Sequence, residues 1–347
     1  CPIILKLRLF LIFPTHPIFK PSAYKYPFFG IRELCPPLNL HKTNSFKKTF
    51  HKLLIIKDLT LFIGQSNTQK TFKIFILKRK FLLCPPCYYE VKYDFSDDNE
   101  YYVFYKGKVV NQKNAYKQWF NVYLTYLNYK IDVEIIPSKE NLPELTFVGD
   151  SIFLFNDKAI ISNFKHKERQ KEAEYLKEWA YKKNFEIIEL PENLTFEGNA
   201  EAIYSYYKKT IIMAYGKRTS YETKHFIEKI LGIRVIPIET YKFHLDICIF
   251  PINDIVIYAE GTISENSIEI LKENKFYLIK VPNDWSFHFA LNNTYFENIV
   301  FCNKSKIEEK LAELFIKLGY KVEFFDLSEF HLVGGGVKCL TLEHYKL

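Results

Sequence analysis

Residues 243–281 read FHLDICIFPINDIVIYAEGTISENSIEILKENKFYLIKV, and this stretch carries one complete structural repeat. Leu245–Phe250 and Asp254–Ala259 are short apolar runs around a Pro-Ile-Asn-Asp turn, the pattern of a strand pair. Glu265–Glu273 is read as a helix. Tyr277–Val281 is a strand again. The unit is therefore β-β-α-β.

Working outward, the same order recurs at intervals of about fifty residues. Upstream lie Ala202–Tyr207, Thr210–Ala214, a helix over Ser220–Leu231 and Arg234–Ile238. Before them come Thr146–Phe155, Lys158–Ser162, a charged helix over Lys165–Lys183 and Glu186–Leu190. Downstream lie Phe287–Leu291, Ile299–Cys302, Ser305–Leu318 and Lys321–Phe325. The first cycle is read as a strand over Glu100–Val110, a helix over Asn114–Tyr129 and a strand over Asp132–Pro137. Cys339–Leu342 is a lone strand at the end. A repeat of this length with a helix on one side must bury its strands against its neighbours. Five such units in a ring, the last strand completing the first blade, would leave no open edge. Periodicity alone also allows two α/β domains with mixed sheets.

The chain has 347 residues, of which 48% are hydrophobic and 25% charged, so a buried core is affordable and wholesale disorder is excluded. Its net charge of +8 is unevenly spread. Residues 1–89 hold 15 Lys or Arg against Glu33 and Asp58, a balance of +13, and the remainder balances at −5. The repeats thus lack a basic field for a phosphate backbone, which argues against nucleic acid as partner. Residues 1–83 also concentrate Pro and contain no run of ~20 apolar residues to span a bilayer. The chain opens at Cys1, and its single Met is Met213. Residues 1–83 are accordingly expected to be an extension that is poorly ordered or foreign to the native protein, with the folded domain at 84–347. The seven Cys follow no regular framework, which suits a reducing compartment, and the expected location is cytoplasmic. Cys84-Pro-Pro-Cys87 has redox spacing but no second pair and no βαβ context.

Short polar clusters sit at the same phase of successive units: Val148-Gly149-Asp150, Phe196-Glu197-Gly198, His244-Leu245-Asp246, and Gly334–Gly336 leading to Cys339. In a ring, equivalent positions point to one axis. Three carboxylates, a His and a Cys would then share one central pocket. Carboxylates beside a thiol oppose its ionisation. They become useful if the substrate brings a cation. A guanidinium is planar, permanently charged and rich in N–H donors, and its central carbon is open to a thiolate. His288 and Asn292 share the phase with weaker support, and His288 reads as structural.

In this order the motifs resemble the guanidine-modifying (pentein) superfamily of dimethylarginine dimethylaminohydrolases, arginine deiminases and glycine amidinotransferases. The carrying residues are Cys84-Pro-Pro, Leu142-Pro143-Glu144, Val148-Gly149-Asp150, Phe196-Glu197-Gly198, Lys217-Arg218-Thr219, His244-Leu245-Asp246 and Gly334–Thr341. The resemblance implies a five-bladed α/β propeller around a central pocket. It implies Cys339 as nucleophile, His244 as general acid-base and Glu197 as its carboxylate partner. Asp150 and Asp246 would grip the guanidinium, and Arg218 would pair with the substrate α-carboxylate. No metal or organic cofactor is implied. The expected activity is hydrolysis of arginine or an N-methylated arginine through a thiouronium. Amidino transfer to an amine and a non-enzymatic propeller-type binding role are the alternatives. The expected partner is the small guanidino substrate, with no membrane, and a homo-oligomer fits the same picture. Gly149-Asp150 stands where arginine dihydrolases carry Ala-Asn, and Asp246 stands where dimethylarginine hydrolases carry Lys, so the subtype is open.

Overall fold

The computed structural model describes residues 79–346. The readings made of residues 1–78 lie outside the described residues. Fifteen strands and the helices between them are described. β1 (Lys80–Leu83) pairs in parallel with β2 (Asp132–Ile135), across the helix Gln112–Asn128. Four units repeat that plan with an additional antiparallel strand in front. They are β3 (Ile152–Phe155), β4 (Lys158–Ile161) and β5 (Glu186–Glu189); β6 (Ala202–Ser205), β7 (Thr210–Tyr215) and β8 (Val235–Glu239); β9 (Ile249–Ile252), β10 (Ile255–Ala259) and β11 (Tyr277–Val281); and β12 (Thr294–Phe296), β13 (Ile299–Asn303) and β14 (Lys321–Phe325). In each, the first two strands are a hairpin, and a helix carries the chain over to a parallel third strand, the crossover that parallel pairing requires.

β15 (Leu342–Tyr345) supplies the antiparallel partner that β1 lacks, with Phe81 opposite Glu343. It also pairs in parallel with β3, which joins the first two units into one six-stranded sheet. Strand β1 lies ahead of the boundary expected at residue 84. The folded unit therefore begins earlier than the motifs indicated, because β15 and β2 need a strand between them.

Successive residues of a strand point to opposite faces, and here both faces are buried. Phe153 and Phe155 pack toward the third unit, while Ile152 and Leu154 pack toward the first. Ile211 and Met213 face the second unit; Ile212 and Ala214 face the fourth. Phe250 and Ile257 meet Val300 and Phe315 of the fifth unit. Finally Phe301 and Phe325 of the fifth unit meet Phe81 and Tyr126 of the first. The apolar clusters thus form a closed cycle of five interfaces in an α/β fold. This is why the strands read as continuous apolar runs rather than alternating ones.

Three expected strands are not strands as read: Cys339–Leu342 is a turn that reaches β15 only at Leu342, and the other two are helical or irregular. Glu100–Phe104 is a short helix, because Asn99 caps it by accepting from the Tyr101 amide and Tyr101 is buried against Phe243 and Phe289. Phe287–Leu291 is a helical end followed by an irregular turn, with Phe289 at φ 56°. In both, an aromatic-rich sequence mimics β propensity while tertiary packing chooses otherwise. Among the described residues no helix is long and apolar enough to cross a membrane.

Candidate active site

The polar clusters fold as tight turns just before the strands they introduce. Val148–Asp150 and Leu245–Ile247 are single 3₁₀ turns, and Glu197 precedes the helical turn Gly198–Glu201. These turns touch. Gly198 has φ 56°, and a Cβ there would lie 2.5 Å from the carbonyl oxygen of Gly149 and 2.9 Å from that of Asp150. Only glycine allows this approach. The Gly149 amide in turn donates to the Cys339 carbonyl at 3.3 Å. The turns of units two and three are thereby locked to the segment that carries the thiol.

Cys339, His244, Asp150 and Arg218 line one small cavity of about 20 Å³, together with Glu144 and Arg169. Asp246 meets the same sulfur, accepting from Cys339 Sγ at 3.4 Å. Within this group His244 Nε2 lies 2.7 Å from Glu197 Oε2. Three buried atoms have no protein partner: His244 Nδ1, Asp150 Oδ1 and Asp246 Oδ1. Two carboxylate oxygens and one ring nitrogen therefore keep their hydrogen-bonding capacity in a place where unpaired polar groups are costly.

The electrostatics divide the labour. Burial works against an imidazolium at His244, but the Glu197 hydrogen bond together with the charges of Asp150 and Glu197 outweighs it and raises the pKa to about 9. Burial likewise opposes the Glu197 carboxylate, yet Arg218 and then His244 hold it down at about 2. Asp246 is pushed up to about 6, chiefly by burial and partly by Asp150. The Cys339 thiol is raised well above its ordinary value by burial, with Asp246 and Asp150 adding to the effect. At neutral pH this is a protonated His facing a protonated Cys, beside acids able to take up a cation.

Arg218 is the residue whose surroundings differ most from expectation. Its guanidinium is buried and donates to both oxygens of Asp98, at 2.7 and 3.2 Å, and to Glu197 at 3.1 Å. Asp98 also accepts from Lys165 at 2.9 Å and meets His166 at 3.0 Å. Burial disfavours its charge, and Arg218 and its two companions still lower its pKa. Neither Asp98 nor Arg169 was visible as a site residue in the sequence. The charged helix after Lys165 exposes Lys167, Glu168 and Lys171, but Arg169 and Glu172 at its start are buried. There Arg169 binds Asp150 at 2.8 Å, Glu172 at 2.9 Å and Glu144 at 3.2 Å. Three acids share one guanidinium, and burial raises Glu172 to about 8. No pattern along the chain joins Arg169 to Asp150; only the fold does.

Among the described residues one group has metal-ligand geometry, Asp97, Asp98 and His166. Its central carboxylate already balances Arg218 and Lys165, so an ion would have to displace a cation. Cys84, Cys248, Cys302 and Cys339 are free thiols, whereas Cys87 is disulfide-bonded. The Cys84–Cys87 spacing therefore does not act as a paired dithiol.

With this geometry in place, the likeness to known proteins can be read. The family described as "N,N dimethylarginine dimethylhydrolase, eukaryotic" matches residues 86–346. The bifunctional arginine dihydrolase/ornithine cyclodeaminase ArgZ of Synechocystis is 30% identical over 274 residues, 76% of this chain and 37% of that protein. Its counterpart AgrE of Nostoc is 29% identical over 274 residues, with the same coverage. The chain thus spans 37% of the length of these two relatives. A crystal structure of the N-terminal domain of an ArgZ variant, covalently bonded to a reaction intermediate, matches with a TM-score of 0.71 at 26% identity. That match covers 77% of this chain and 98% of the domain.

Proposed function

The chain belongs to the dimethylarginine dimethylaminohydrolase family of the pentein superfamily, and from that premise we propose that it hydrolyses a guanidino compound, arginine or an N-methylated arginine, with Cys339 as nucleophile. The observation that carries the reading is the shared cavity. His244, paired with buried Glu197, lines one space with Cys339 and Asp150, Asp246 touches the same thiol, and one oxygen of each aspartate is free to accept N–H groups.

The geometry supports the following course. A guanidinium entering the cavity donates to Asp150 and Asp246. Its charge offsets part of theirs, which removes much of the opposition to ionising the Cys339 thiol, and the thiol proton passes to solvent water. The sulfur adds to the guanidine carbon, forming the C–S bond. His244, protonated at neutral pH because of Glu197, gives its proton to the departing amine as the C–N bond breaks. An S-alkylthiouronium remains. Neutral His244 then takes a proton from water, whose oxygen adds to the same carbon. The C–S bond breaks and a urea-type product leaves. Arg218 stays our choice for the substrate α-carboxylate, which would exchange with Asp98, and Arg169 borders the same cavity. Four of the five described cysteines are free thiols, Cys87 being disulfide-bonded, and on the weight of the four we place the protein in the cytoplasm.

The test is direct. The protein is incubated with arginine, dimethylarginine and agmatine, and citrulline, ornithine, urea and ammonia are assayed. Turnover of one guanidine that vanishes in Cys339→Ser is the expected result. Equal yields from both proteins, or none from either, would sink the reading.

A further inference from the structure

Two asparagines of the fifth unit hold the turn that carries Cys339. Asn303 Oδ1 accepts from the Val337 amide at 2.9 Å, and Asn292 Oδ1 accepts from the next amide, Lys338, at 3.0 Å. Asn303 also donates to the Asn292 carbonyl at 2.6 Å. Both side chains are fully buried. The last glycine of the run is explained by the same pair. A Cβ at Gly336 would lie 2.5 Å from Asn292 Oδ1 and 2.7 Å from Asn303 Oδ1.

This arrangement settles which way the Asn292 amide faces. An amide N–H can be satisfied only by an oxygen, so Oδ1 must lie toward Lys338. The NH₂ group then has one direction left, and it donates to Cys339 Sγ at 3.2 Å. Asp246 contacts that sulfur as an acceptor. An acceptor favours the thiol, whereas a fixed donor favours the thiolate. When the substrate neutralises the acids, the Asn292 donor stays in place.

We propose that Asn292 is a catalytic residue whose amide N–H holds the Cys339 sulfur in its thiolate form during attack. The proposal rests on the reading of Cys339 as nucleophile and adds a residue to it. A hydrogen bond to a charged group is the stronger kind, so its loss should be visible in the thiol itself.

The experiment titrates Cys339 by its rate of alkylation with iodoacetamide across pH, read by mass spectrometry. In Asn292→Ala the apparent thiol pKa should rise by about one unit, with alkylation at neutral pH about tenfold slower. kcat should fall by a similar factor with KM little changed. Asn303→Ala holds the neighbouring amide without touching sulfur; it should lower the melting temperature and leave the titration alone. An unchanged titration in Asn292→Ala overturns the proposal, as does an equal shift in Asn303→Ala, since turn geometry would then suffice. If Asn292→Ala does not fold, Asn292→Leu keeps the volume without the N–H and is judged by the same criterion. Guanidine turnover by the unaltered protein is measured alongside. Its absence would count against the hydrolase, whereas the thiol titration decides Asn292 separately.

Discussion

Two buried ionic clusters flank Cys339, and they differ in what they leave unsatisfied. Behind Cys339, Glu343 accepts from Lys338 at 2.7 Å, from Thr294 at 3.1 Å and from Arg79. Burial opposes that carboxylate, but Arg79 and Lys338 hold it at about 2. In front, Glu197 is held just as firmly by Arg218 and His244, yet His244 Nδ1 and the Oδ1 atoms of Asp150 and Asp246 remain unpartnered. Similar residue types serve as a brace in one place and as a reagent in the other. The difference lies in the kind of spare hydrogen-bonding capacity, a single donor (Arg79 Nε) behind and two carboxylate oxygens with a ring nitrogen in front, not in charge or burial.

The contrast can be broken at several points. The largest effect is expected from Cys339→Ser, which should cut turnover by about a thousandfold or more while the protein stays folded. Steady-state kinetics with melting curves would check it. Glu343→Gln attacks the brace instead. It leaves two buried cations short of a partner and should cost about 3 kcal/mol of stability, seen in denaturant titration. Loss of activity without loss of stability there would erase the distinction between the clusters.

Glu197→Gln should slow turnover by about ten- to a hundredfold. It should also lower the alkaline limb of the pH–rate profile, which in the native protein reflects the His244 proton with its pKa near 9. An alkaline limb that does not move would show that His244 is not the acid. The same raised pKa predicts a smaller effect on stability. The His244 contribution is fully present below its ordinary pKa of 6.5 and disappears as pH rises through about 9. Glu197 and Glu343 act in the opposite sense. Their contribution holds above the unfolded value of 4.5 and is lost as pH falls toward about 2. Native-state melting across pH would resolve both limbs.

How much of this could be seen in the sequence depended on whether the signal was local. The polar clusters around Asp150, Glu197 and Asp246 were legible because an acid near glycine or histidine, at one phase of a repeat, is an unusual local pattern, but Asp150 and Asp246 were read into strands that begin only at Ile152 and Ile249. The repeats were legible from periodicity, and the closed cycle of apolar clusters bears out their number. Asp98 and Arg169 were not legible, since their partners lie 120 and 19 residues away across different turns. The strands expected at Glu100–Val110 and Phe287–Leu291 failed for a related reason. Their Tyr and Phe side chains are spent on packing Tyr101 against Phe287 and Phe289, which propensity cannot register.

The late position of β15 has a consequence for biosynthesis. The strand that follows the thiol is also the wedge between the first two sheets. A nascent chain can form its middle units from nearby pairings, but joining β15 to β1 must wait for residues some 260 positions apart. Until then the cavity lacks its sulfur, so the thiol reaches His244 and Asp150 only with the event that seals the scaffold.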